Sequence, residues 1–111
     1  MHIEQIREYC LSKPGTSESL PFDEDTLVFK VNGKIFLLIS ISEPEKFNVK
    51  CNPEYAVELR ETYESVIPGY HMNKKHWNTV YFYQLPTDLV LSLIDHSYLL
   101  VKQSITVKKK R

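Results

Sequence analysis

Two β-prone runs, Thr26 to Val31 and Lys34 to Ile41, meet at Asn32-Gly33. A two-residue type I′ turn needs positive φ at both central positions, and Asn followed by Gly meets that demand at the least cost. The dipeptide therefore predicts a tight hairpin and commits the chain early to antiparallel pairing. Glu43-Pro44-Glu45 predicts the next turn. After it, Lys46 to Cys51 alternates. Phe47, Val49 and Cys51 fall on one face, with Lys46, Asn48 and Lys50 on the other, the pattern of a half-buried strand. Together these runs predict a three-stranded antiparallel meander.

Helices bracket the strands. Ile3, Ile6 and Cys10 line one face of a short amphipathic helix over residues 2–12, and Lys13-Pro14-Gly15 stops it. Thr16 to Asp25 reads as a polar connector from which Phe22 reaches into the core. Asn52-Pro53-Glu54 is a helix start, with Asn as cap, Pro at the first helical position and an acid in the first turn. That helix is expected to run to Thr62 or Tyr63. Trp77 to Tyr83 alternates as another strand, and Val66 to Tyr70 is its candidate hairpin partner. Leu85-Pro86-Thr87-Asp88 opens a final helix whose stripe of Val90, Leu93, Ile94, Ser97, Leu100 and Val101 is wide enough to cover a sheet. The order is α-β-β-β-α-β-β-α, a two-layer α+β domain with an antiparallel sheet.

The chain has 111 residues, 42% hydrophobic and 25% charged, which fits one globular domain and excludes a disordered one. The domain is expected over residues 1–103, followed by a basic tail over 104–111. Two cysteines, Cys10 and Cys51, are too few for a disulfide scaffold and lack zinc-ligand spacing, so both read as buried free thiols. Glu4, Arg7 and Glu8 interrupt the N-terminus, and the longest apolar run, Ile35 to Ile39, is far short of the roughly 20 residues of a membrane helix. A cytoplasmic monomer with no membrane partner is the expectation. His71 and His76 lie five apart without a third ligand, so no metal is expected. No glycine-rich phosphate loop occurs, and Ser97-Tyr98 has no adjacent base; Tyr98 reads instead as a cap on the sheet edge with its hydroxyl at the surface. The reading is of a protein with no catalytic residues and no cofactor.

The formal net charge is zero, but it is unevenly spread. Residues 1–64 carry 12 acidic and 7 basic side chains; residues 65–111 carry 2 and 7. Four of those later cations are Lys108 to Arg111, and Lys74, Lys75 and Lys102 are the remainder.

Several segments read together as a pattern. Lys13-Pro14-Gly15 precedes Glu18-Ser19-Leu20-Pro21-Phe22, and Val31-Asn32-Gly33-Lys34 leads into a hydrophobic strand. Lys50-Cys51-Asn52-Pro53-Glu54 starts a helix, Pro68 to Asn78 reads PGYHMNKKHWN, and Asp95-His96-Ser97-Tyr98 follows. In this order and spacing the chain resembles the MmcQ/YjbR family of small bacterial proteins over residues 1–105. The resemblance implies a fold similar to secretion-chaperone and frataxin-like two-layer domains. It also implies binding of double-stranded DNA through a double wing of two β-hairpins.

On that expectation the second hairpin carries the site. Its candidates are Lys74, Lys75, His76, Trp77 and Asn78: the two lysines would meet phosphates, Asn78 would read a base edge or hold a phosphate, and His71 and Tyr70 would flank. Lys34, with Lys30, marks the first wing, and Lys50 and Arg60 would extend the basic surface. The bland alternatives are solvated turn lysines and Trp77 as a core anchor. A different class is a protein- or small-ligand-binding module, with Trp77, Tyr81 and Tyr83 forming an aromatic platform on an open sheet face.

Overall fold

The computed structural model describes residues 1–69 and 72–109, with side chains as far as Ser104. Helix α1 spans Ile3–Leu11, α2 Pro53–Thr62 and α3 Thr87–Lys109. Six strands form one sheet: β1 Thr16–Ser19, β2 Thr26–Val31, β3 Lys34–Ser40, β4 Lys46–Lys50, β5 Val66–Pro68 and β6 Trp77–Tyr81. Their order across the sheet is β1-β2-β3-β4-β6-β5, with every pairing antiparallel. The architecture is α+β, with helices packed on one face of the sheet.

The local signals act as their chemistry dictates. Asn32 and Gly33 both adopt positive φ, 49° and 86°, which closes the β2–β3 turn. Asn52 caps α2 by accepting from the backbone N–H groups of Glu54 and Tyr55 at 3.0 and 3.3 Å. Gly69 is needed for close approach, since a Cβ there would lie 2.8 Å from the Cβ of Trp77. The core gathers Ile6 and Cys10 of α1, Phe29, Val31, Leu37, Ile39, Phe47, Val49 and Val80 of the sheet, and Val90, Leu93, Ile94 and Val101 of α3. Cys10 and Cys51 are buried free thiols, pushed up by desolvation to about 12 and about 11 respectively.

Four sequence expectations change. Thr16–Ser19 is an edge strand and not part of a connector, and Arg7 grips its Glu18 with two hydrogen bonds of 2.7 and 2.6 Å. Phe22 does not enter the core and is 66% exposed. The last strand stops at Tyr81; Phe82–Gln84 form a 3₁₀ turn, which takes Tyr83 off the strand and leaves it exposed. Tyr98 is buried, not a surface cap, and its hydroxyl donates to the carbonyl of Pro14 at 2.6 Å.

A β-bulge interrupts β3. Phe29 pairs with Leu37 and Lys30 with Ile35, so Phe36 is the extra residue. The bulge lets Phe36 and Leu37 both face the helices, and Phe36 meets Tyr98 edge-on, ring centroids 5.5 Å apart. Ser97 of α3 bridges the gap so formed. It donates to the Phe36 carbonyl at 2.6 Å and accepts from the Lys50 N–H at 2.9 Å.

Candidate nucleic-acid interface

Strand direction fixes where the hairpin tips lie. β2 ends at the Asn32-Gly33 turn, and β5 ends at Pro68, where the chain enters the loop leading to Trp77. Lys50, the last residue of β4, pairs with Trp77, the first of β6. The β2–β3 turn, the end of β4 and the β5–β6 loop therefore share one end of the sheet. Three strand spacings separate the two tips, about 14 Å. α3 runs toward the same end: Ser97 is level with Phe36 and Lys50, Tyr98 reaches Pro14, and the helical backbone continues to Lys109. Eleven residues past Tyr98 add about 16 Å of helix.

The predicted site residues divide by environment. Lys34, Lys74 and Lys75 are exposed, while Lys50 and His76 are half-buried. Lys50 shares the helix-free face with Trp77, because their neighbours Val49 and Asn78 both turn to the helices. Trp77 is half-buried there, neither a core anchor nor freely exposed. His71 and Tyr70 lie outside the described residues.

Asn78 and Arg60 are placed differently from the expectation. Asn78 is 1% exposed, so its amide cannot reach a base edge. Its Oδ1 accepts from the Arg60 Nε at 2.8 Å, and its Nδ2 donates to the Ala56 carbonyl at 3.4 Å. Arg60 in turn donates through Nη2 to the Lys74 carbonyl at 2.6 Å. The guanidinium is a brace between α2, β6 and the loop, and it holds the backbone beneath Lys74 and Lys75. Asn73 completes the turn by accepting from the Lys75 N–H through Oδ1, while its carbonyl accepts from His76 and Trp77. Sequence reasoning missed both bracing roles. The Asn73-Lys74-Lys75 order was an available turn signal, since Asn bonds its own backbone two residues on.

His96 sits behind this end of the sheet. Its Nε2 accepts from the Asn52 N–H at 3.1 Å, and its ring meets Tyr55 edge-on at 5.2 Å. Desolvation lowers its pKa below the ordinary value. The neutral ring is thus the form the fold prefers, and its contribution to stability is complete above about pH 6.5. As pH falls through the lower folded value, protonation removes the acceptor and the contribution is lost. A thermal melt at pH 5 is expected to lie below one at pH 7 by more than in His96→Gln, whose amide oxygen still accepts; loss of this solvent-exposed hydrogen bond accounts for at most about 1 kcal/mol. An equal pH response in both proteins would refute this.

Among the described residues no group of three or more His, Cys, Asp or Glu is placed to hold a metal ion. None of the described helices is long and apolar enough to cross a membrane.

The profile of the YjbR family matches residues 11–100 of this sequence. The chain belongs to the YjbR family. The YjbR protein of Escherichia coli K12 is 34% identical over 100 residues, covering 88% of this chain and 85% of that protein. YbdF of E. coli O157:H7 is 34% identical, covering 97% and 90%, and YyaQ of Bacillus subtilis is 32% identical, covering 89% and 97%. All three are described only as uncharacterised proteins. A crystal structure of a Deinococcus radiodurans protein superposes with a TM-score of 0.84 at 40% identity, covering 89% of this chain and 77% of that one. The Deinococcus superposition bears out the α+β fold.

Proposed function

We propose that this YjbR-family protein is a non-catalytic DNA-binding protein that contacts duplex DNA through the end of the sheet bearing its two hairpin tips. One observation carries the reading: the strand order brings Lys34, Lys50, Lys74 and Lys75 to a single end of the sheet, which α3, bearing Lys102, also approaches. Tips about 14 Å apart suit the phosphate rows flanking a major groove about 12 Å wide. The buried Asn78 removes the best candidate for reading bases, so the contacts are of the phosphate kind, which position a protein without specifying sequence.

Binding to a random duplex at low salt is expected to be tighter than about 10⁻⁴ M and to weaken steeply with salt. Replacing Lys34, Lys50, Lys74 and Lys75 together by Ala should shallow the slope of log K against log salt by about three to four, roughly 0.9 for each phosphate no longer neutralised. Fluorescence anisotropy across a salt series measures it. No binding at low salt, or an unchanged slope in the quadruple variant, would refute a DNA contact at this end of the sheet.

A further inference from the structure

The helix-free face of the sheet is hollowed. A cavity of about 430 Å³ opens on it, within the size range of small-molecule sites. Its floor is Ile35 and Leu38 of β3 with Asn48 of β4, and Phe22 and Met72 flank it from the β1–β2 and β5–β6 connections. The bulge makes this floor. With Phe36 as the extra residue turned to the helices, Ile35 and Leu38 face out on the same side, where strict alternation would oppose them. Two aliphatic side chains thus lie together between an aromatic ring and a thioether.

The polar groups around the cavity are nearly all engaged. The Thr26 hydroxyl donates to Asp23, and that of Ser40 to Asp25. Lys46 and Glu43 close an ion pair of 3.0 Å at the rim, so the wall carries no net charge. Asn48 differs. Its Oδ1 accepts from the hydroxyl of Thr79, on the β6 side, and no described residue accepts from its Nδ2. Asn48 lines the cavity, and with its oxygen engaged by Thr79 the amide nitrogen is the group left to donate there.

We propose that this cavity binds a small, uncharged, largely apolar molecule carrying a hydrogen-bond acceptor such as a ketone or amide carbonyl. The apolar body lies on Ile35 and Leu38 between Phe22 and Met72, and the acceptor meets Asn48 Nδ2. The paired Lys46 and Glu43 leave no uncompensated charge for an ionic ligand. The site uses none of the four lysines of the proposed DNA-binding end, so either reading can fail without the other.

The test uses the neutral naphthyl ketone prodan, its ketone-free parent dimethylaminonaphthalene, and the anionic dye anilinonaphthalene sulfonate. Prodan is expected to bind at one saturable site with blue-shifted emission and a dissociation constant of about 10⁻⁴ M, as its size allows. Phe22→Ala and Met72→Ala lie in connecting segments outside the core, and each should weaken prodan about tenfold while the circular dichroism spectrum is unchanged. Asn48→Thr should weaken prodan about tenfold and leave dimethylaminonaphthalene unaffected. Non-saturable binding, indifference to both flanking variants, or equal loss of the two naphthalenes in Asn48→Thr would overturn the proposal. So would tighter binding of the anionic dye than of prodan.

Discussion

Replacing Ser97 by Ala is expected to lower folding stability by about 2–4 kcal/mol, a large share of the 5–15 kcal/mol typical of a small domain. Ser97 is fully buried, and its hydroxyl satisfies both the carbonyl of Phe36 and the N–H of Lys50. The bulge deprives each group of a cross-strand partner, so deleting one oxygen orphans a donor and an acceptor together. Each costs about 1–3 kcal/mol when left buried and unpaired. Urea denaturation would register the loss as a lower midpoint with an unchanged slope. A loss under about 1 kcal/mol would mean that water or a shifted strand replaces the hydroxyl.

Phe36→Ala is expected to be the more damaging change, at about 3–5 kcal/mol. The side chain is fully buried and packs edge-on against Tyr98, whose own position is tied by its hydroxyl to Pro14. Truncation leaves a cavity that the bulged backbone cannot close without breaking the Ser97 bridge. The two residues meet at one carbonyl, so their effects should not add. A double-mutant cycle between Phe36→Ala and Ser97→Ala is expected to give a coupling of about 0.5–3 kcal/mol. Additivity within about 0.3 kcal/mol would show that bridge and ring act separately.

Much of this fold was legible because local chemistry dictates it. Asn32-Gly33 and Asn52-Pro53 are backbone requirements written as side chains, and they mark a hairpin and a helix start at the expected places. The alternation of Lys46 to Lys50 survives as burial of Phe47 and Val49. β1 was hidden because Thr16–Ser19 contains no apolar residue. Its place is set by backbone pairing to β2 and by the clamp between Arg7 and Glu18, eleven positions apart. The bulge was hidden for the opposite reason: the run from Ile35 to Ile39 is apolar throughout, so the pattern cannot show where the faces change over. At the candidate site the lysine-bearing turn was readable, but the burial of Asn78 was not. Its partner Arg60 comes from α2, and nothing local announces that a guanidinium will arrive there.

The Ser97 bridge also bears on the order in which the molecule assembles. The hydroxyl reaches back 61 positions to Phe36 and 47 to Lys50, so both groups are made long before their partner leaves the ribosome. Until α3 docks, the nascent sheet carries an open seam between β3 and β4. Final consolidation of the meander waits on the most distant element in the sequence, and the early hairpin gains its full protection only when the molecule closes as a whole.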